Sequence, residues 1–210
     1  MQNPILARME SLGYAVFSGR MNLNIVGIRR TTDPVVDTFD DRLHVIYQPD
    51  DGAGLIDRSW PVTTDPGLYY LMNKSKQLNP AGTAILVPGQ YRGVYKIDGH
   101  GKSRYAALCQ RNGPVKVWRD NNHDDVIDYG HNEREGLYGV NIHAPSTSPY
   151  RRGRATVRTK IGPWSAGCTV FSSVSDFRQF MVICKGQVAA GVAAGKSGYD
   201  RFTYSLLEEF

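Results

Sequence analysis

Cys168 follows Ser165-Ala166-Gly167, and His143 closes the run Tyr138-Gly139-Val140-Asn141-Ile142. A thiol is a useful nucleophile only when its thiolate is populated, and an imidazole is the side chain suited to taking its proton near neutral pH. Gly167 permits backbone geometry closed to other residues. Cys168 is therefore expected at a tight turn whose backbone N–H groups, near 167 and 168, form an oxyanion site. Ser165 is expected to hydrogen-bond within that turn, and Trp164 to form a wall of a substrate groove. The chemistry that suits these residues is acyl transfer, with Cys168 as nucleophile and His143 as base. The competing reading is a buried strand cysteine and a satisfied core histidine, the commoner fate of either residue alone.

The other two cysteines lie in apolar runs, Ala106-Ala107-Leu108-Cys109 and Phe180-Met181-Val182-Ile183-Cys184, and read as small buried hydrophobes. An odd count of three without paired spacing argues for reduced thiols. Net charge is +5, and its location is informative. No acid lies between Ala144 and Ser175, a span that holds Arg151, Arg152, Arg154, Arg158 and Lys160; the other 20 basic and 20 acidic residues cancel. A basic segment between His and Cys favours an anionic partner and a thiolate, with Arg151, Arg154 and Arg158 as candidate substrate contacts. A solvated basic loop is the alternative. Only Tyr150 and Trp164 are aromatic neighbours of this run, and no nucleic-acid motif surrounds it, so no nucleic-acid partner is expected.

The elements that must position this pair are short. Asn3 to Leu12 reads as a helix ended by Gly13. Leu23 to Ile28, Leu43 to Tyr47, Thr83 to Val87, Gly93 to Ile97 and Val115 to Arg119 read as strands, as do Leu137 to His143, Thr169 to Phe171 and Phe202 to Leu207. Ser175 to Cys184 is the clearest helix, capped by Ser175, with Phe177, Phe180, Met181 and Cys184 on one face. Residues 48–78 carry turn signals and are not placed. The expected fold class is mainly β (α+β), a mixed β-sandwich or open barrel with a few short helices. Residues 1–210 are expected to form one catalytic domain with an N-terminal elaboration over about 1–80, acting as a monomer. No apolar stretch approaches the roughly 18 residues of a membrane span, and no signal peptide is evident.

Asp120, Asn122, Asp124 and Asp128 stand at positions 1, 3, 5 and 9 of a calcium-loop spacing. Position 6 is Asp125 rather than Gly, and position 12 is His131 rather than Glu. Two readings stay open: a structural calcium ion, or a solvated Asp/Asn turn that docks against the basic segment. The chemistry itself requires no cofactor. His100, in Asp98-Gly99-His100-Gly101, is expected in an exposed turn.

The sequence Val140-Asn141-Ile142-His143, followed by Ser165-Ala166-Gly167-Cys168-Thr169-Val170, resembles the catalytic motif of the L,D-transpeptidase catalytic-domain family. The resemblance covers roughly Leu137 to Phe171. It implies a β-rich catalytic fold and a cysteine acyl-enzyme formed on peptidoglycan stem peptides. It also implies His143 as general base, Cys168 as nucleophile, and Ser165 and Gly167 shaping the turn and oxyanion site. The chain departs from the family at Ala144, where the family has Gly, and at Val170, where it has Arg. Its His-to-Cys separation of 25 positions is also longer than is usual there. One of Arg151, Arg152, Arg154 or Arg158 would have to replace the missing Arg. The whole chain is similar to phage and prophage relatives of that family. That likeness implies a lysin made in the cytoplasm, exported through a holin-type pore, and favouring hydrolysis over transfer. The alternatives are a transpeptidase proper and a non-catalytic wall-binding or virion module.

Overall fold

Short strands bounded by turn residues must pair with distant partners to bury their apolar faces, and here they close into a barrel. The computed structural model describes residues 3–50, 52–153 and 156–210. The strands are β1 (Asn24–Arg29), β2 (Asp41–Tyr47), β3 (Ile56–Thr63), β4 (Thr83–Leu86), β5 (Gly89–His100) and β6 (Tyr105–Gln110). They continue with β7 (Val115–Asp120), β8 (Arg134–Gly136), β9 (Ile142–His143), β10 (Thr169–Phe171) and β11 (Phe202–Glu208). Helices α1 (Pro4–Ser11), α2 (Leu68–Leu71) and α3 (Val174–Ala193) complete the set with two 3-10 turns. The fold is mainly β with few helices, as expected. Eight strands form a closed barrel in the order β1-β11-β5-β6-β9-β10-β3-β2, and β4-β7-β8 form a separate sheet. Parallel pairing of β1 with β11 removes the free edges that an open barrel would leave.

Several expectations are corrected. The stretch expected as an elaboration supplies β1, β2 and β3 of the barrel. The unplaced stretch holds β3, whose Asp57 and Arg58 face solvent and whose Pro61 weakens the strand signal. The strand expected over 137–143 contracts to Ile142–His143. The N–H groups of Tyr138, Gly139 and Val140 all donate to Gln110 Oε1, at 3.1, 2.8 and 3.1 Å. A side chain on β6 thus takes the place of a strand partner. Helix α3 begins earlier and runs twice as far as expected, and its cap is Ser173, whose Oγ accepts from Asp176 N at 3.4 Å.

The apolar face of α3 is Phe177, Phe180, Met181 and Cys184, each at most 1% exposed. Phe177 and Phe180 pack on Phe171 of β10 with ring centroids 5.7 and 5.2 Å apart. Trp60 of β3 meets Phe180 edge-on at 6.3 Å. This cluster fixes β10, and with it the Cys168 turn. In a second cluster, Ile5, Leu6 and Met9 of α1 pack with Val26, Ile46 and Leu207. Arg29, fully buried, donates to Thr64 Oγ1, Thr64 O and Leu86 O, each at 3.0 Å, and pairs with Asp65 at 3.1 Å. These bonds tie β1 to the segment that leads into α2. Among the described residues, no helix is long and apolar enough to cross a membrane.

Candidate active site

Strands β9 and β10 run parallel, with Thr169 opposite Ile142 and Val170 opposite His143. Side chains alternate along a strand, so this register places His143 on the face of Val170, and Cys168 lies two residues before Val170, immediately ahead of β10. Strand spacing sets the Cα atoms of Cys168 and His143 about 8 Å apart, and their side chains line different cavities. The register therefore juxtaposes two residues that are 25 positions apart in sequence.

The turn before Cys168 is built as the sequence predicts. Ser165 is fully buried; its Oγ donates to Cys168 O at 2.8 Å and accepts from Gly167 N at 3.2 Å. Gly167 has φ +113°, and a Cβ there would stand 2.3 Å from Ala84 O. The turn therefore requires glycine at 167, for conformation and for its approach to β4. The Gly167 N–H is already bonded to Ser165 Oγ, whereas the Cys168 N–H has no hydrogen-bond partner among the described residues.

Cys168 is half-buried, whereas Cys109 and Cys184 are fully buried. Its Sγ accepts from Asn141 N at 3.3 Å and donates to Gly139 O at 3.6 Å. Burial pushes the thiol up to about 11, against the lowering effect of the Asn141 N–H. Among the described residues, no cation of the basic segment contributes to that balance. Arg151, Arg152 and Arg158 are exposed, Arg158 stacks on Trp164 at 5.0 Å, and Arg154 lies outside the described residues.

His143 is 5% exposed. Its Nδ1 lies 2.9 Å from Ala144 O, which fixes the proton on Nδ1 and leaves Nε2 as the basic nitrogen. Burial, then the neighbouring His100, lowers it to about 3. The resting pair is thus a neutral thiol and a neutral imidazole, and no hydrogen bond joins them among the described residues.

The sequence reading missed four residues. His100 ends β5 and is half-buried; its ring stacks on His143 at 4.1 Å and 21°, and its Nδ1 accepts from Asn141 Nδ2 at 3.1 Å. It was expected in an exposed turn, and only the pairing of β5, β6 and β9 brings it here. Tyr105 of β6 lies opposite His100, with its hydroxyl 3.5 Å from His143 Nδ1. Tyr70 and Arg119 share with Cys168 a cavity of about 230 Å³, also lined by Thr83, Tyr138 and Ala166. Trp164 instead lines a smaller cavity of about 70 Å³ with His143, His100 and Tyr105.

The acidic segment closes on itself. Asn122 Nδ2 donates to Asp128 Oδ2 at 2.9 Å, Asp128 N to Asp120 Oδ2 at 3.0 Å, and Val126 N to Asp124 Oδ1 at 2.9 Å. Each bond is of the kind that stabilises an Asp/Asn turn. Among the described residues no group of three or more His, Cys, Asp or Glu side chains converges to hold a metal, and no ion pair joins this turn to the basic segment.

Comparison with protein-family models, with curated proteins and with solved structures finds no match to this chain.

Proposed function

We propose that this protein is a cysteine-dependent hydrolase of peptidoglycan stem peptides, with Cys168 as nucleophile and His143 as general base. The observation that carries the reading is the β9/β10 register. It supports the reading by bringing a half-buried thiol at a glycine-dependent turn within two residues along the strand of an imidazole whose Nδ1 proton is held by a backbone carbonyl. The thiol proton passes to His143 Nε2 as Sγ bonds to the substrate carbonyl carbon. The Cys168 N–H faces the developing oxyanion. Collapse breaks the C–N bond, and the leaving amine takes the proton from His143. Water then resolves the thioester, giving a proton back through His143 to the thiol. The peptidoglycan substrate and an action at the cell wall after release rest on the motif around His143 and Cys168.

A binding-only module is the second reading, favoured by the raised thiol and its lack of a hydrogen bond to His143. Mass spectrometry of muropeptides after incubation separates the two. Wild-type protein is expected to shorten or uncross-link stems while Cys168→Ala leaves them intact. New cross-links made only by wild type would identify a transferase, and identical muropeptides from both proteins would leave the binding module.

A further inference from the structure

Two arginines are buried among the described residues, and their surroundings differ. Arg29 has Asp65 beside it and a hydrogen bond on each of its three nitrogens. Arg119, on β7, is 4% exposed and lines the Cys168 cavity. Its Nη1 donates to Gly82 O at 3.1 Å, and its guanidinium lies over the Tyr138 ring at 4.4 Å. Its buried Nε has no hydrogen-bond partner. Among the described residues, no carboxylate pairs with it.

A buried guanidinium without a counter-ion is costly, and a structural arginine has its N–H groups satisfied, as Arg29 does. Among the described residues, the cavity lining contains no Asp or Glu, so none of them repels an anion or competes for the guanidinium. Leu78, Leu137 and Val140 add apolar wall, and about 230 Å³ gives room for a residue-sized group. The planar fork of arginine matches a carboxylate in particular.

We infer that Arg119 is the receptor for the terminal carboxylate of the peptide ligand, and that the Cys168 cavity selects chain ends bearing a free carboxylate. The inference deepens the hydrolase reading and rests on it only for what happens to the ligand once bound. Arg119 is a specificity residue, not a proton-transfer group. It performs the anion-binding task that the sequence reading gave to the basic segment, whose described arginines stand outside the cavity.

The test uses Cys168→Ala protein and two synthetic stem tetrapeptides, one ending in a free carboxylate and one in a carboxamide, titrated by ligand-observed NMR. The acid is expected to bind about ten- to a hundredfold tighter than the amide, the range for hydrogen bonds to a charged group. Adding Arg119→Gln is expected to bring the acid down to the affinity of the amide, and Arg119→Lys to keep part of the preference. Equal binding of acid and amide to protein with Arg119 intact overturns the inference, as does a preference that survives Arg119→Gln. Should Arg119→Gln fail to fold, the acid-against-amide comparison on Cys168→Ala still decides. Turnover by wild type is read separately. Discrimination without turnover leaves the inference standing and removes the hydrolase. Cys168-dependent cleavage of acid and amide alike does the reverse.

Discussion

The ionisation of Cys168 is open to direct measurement. Burial raises the thiol from 9.0 to about 11, with Asn141 N–H only partly offsetting it. At pH 7.4 the thiolate fraction is then about 2 in 10,000, against about 2 in 100 for a thiol at its ordinary value. A more basic thiolate is intrinsically more nucleophilic, and two units recover about one decade. Alkylation of Cys168 by iodoacetamide is therefore expected to run about tenfold slower than that of an equally accessible ordinary cysteine. Its rate should climb about tenfold per pH unit from pH 6.5 to 9.5 without a plateau. Peptide-level mass spectrometry of native protein follows all three cysteines together. Cys168 should label first, because Cys109 and Cys184 are fully buried. His143→Gln should leave the profile unchanged, since no resting hydrogen bond links the two side chains. A plateau between pH 6 and 8 that disappears in His143→Gln would refute this reasoning. It would mean that a thiolate–imidazolium pair exists before substrate arrives.

His143 couples stability to pH. Its folded-state value of about 3 lies below the ordinary 6.5, so the unfolded chain binds the extra proton between those values. The neutral buried ring therefore carries no penalty above pH 6.5, and stability falls as pH drops toward 3. At pH 5 the loss from this group is about 2 kcal/mol. In urea titrations at pH 7.5 and 5, His143→Gln should lose about 2 kcal/mol less than wild type between the two; parallel losses would exclude His143 as the source. Gly167→Ala forces a side chain into a positive-φ turn and against Ala84 O. It should cost at least about 1–3 kcal/mol, lower Tm by several degrees and impair the Cys168 site. An unchanged Tm with full activity would show that the turn tolerates a Cβ.

How much of this site could be read from the chain differs residue by residue. The Ser165–Cys168 turn is local: a short hydroxyl, a positive-φ glycine and the thiol are within four positions, so type and spacing suffice. The face of α3 is local too, because Phe177, Phe180, Met181 and Cys184 recur at helical spacing. His100, Tyr105 and Arg119 carried no such signal. His100 reaches His143 only through two strand pairings, and its neighbours in sequence, Gly99 and Gly101, suggest an exposed turn. Arg119 sits in an ordinary alternating strand and looks like a solvated cation. Tyr138 and the second sheet bury it in the lining of the Cys168 cavity.

Alone, the sequence determined the mainly β class, the helix that backs β10, the Cys168 turn, and the pairing of a thiol with an imidazole as the chemistry to look for. Tertiary structure alone decided that the barrel closes through β1 and β11, which are nearly the whole chain apart. It also decided that Gln110 rather than a strand holds residues 138–140. Most of all, it decided which cation meets the cavity. Periodicity and turn chemistry are properties of neighbours along the chain and survive in any window of it. Strand partners, burial and the unpaired guanidinium of Arg119 depend on distant segments brought together, and no local pattern encodes them.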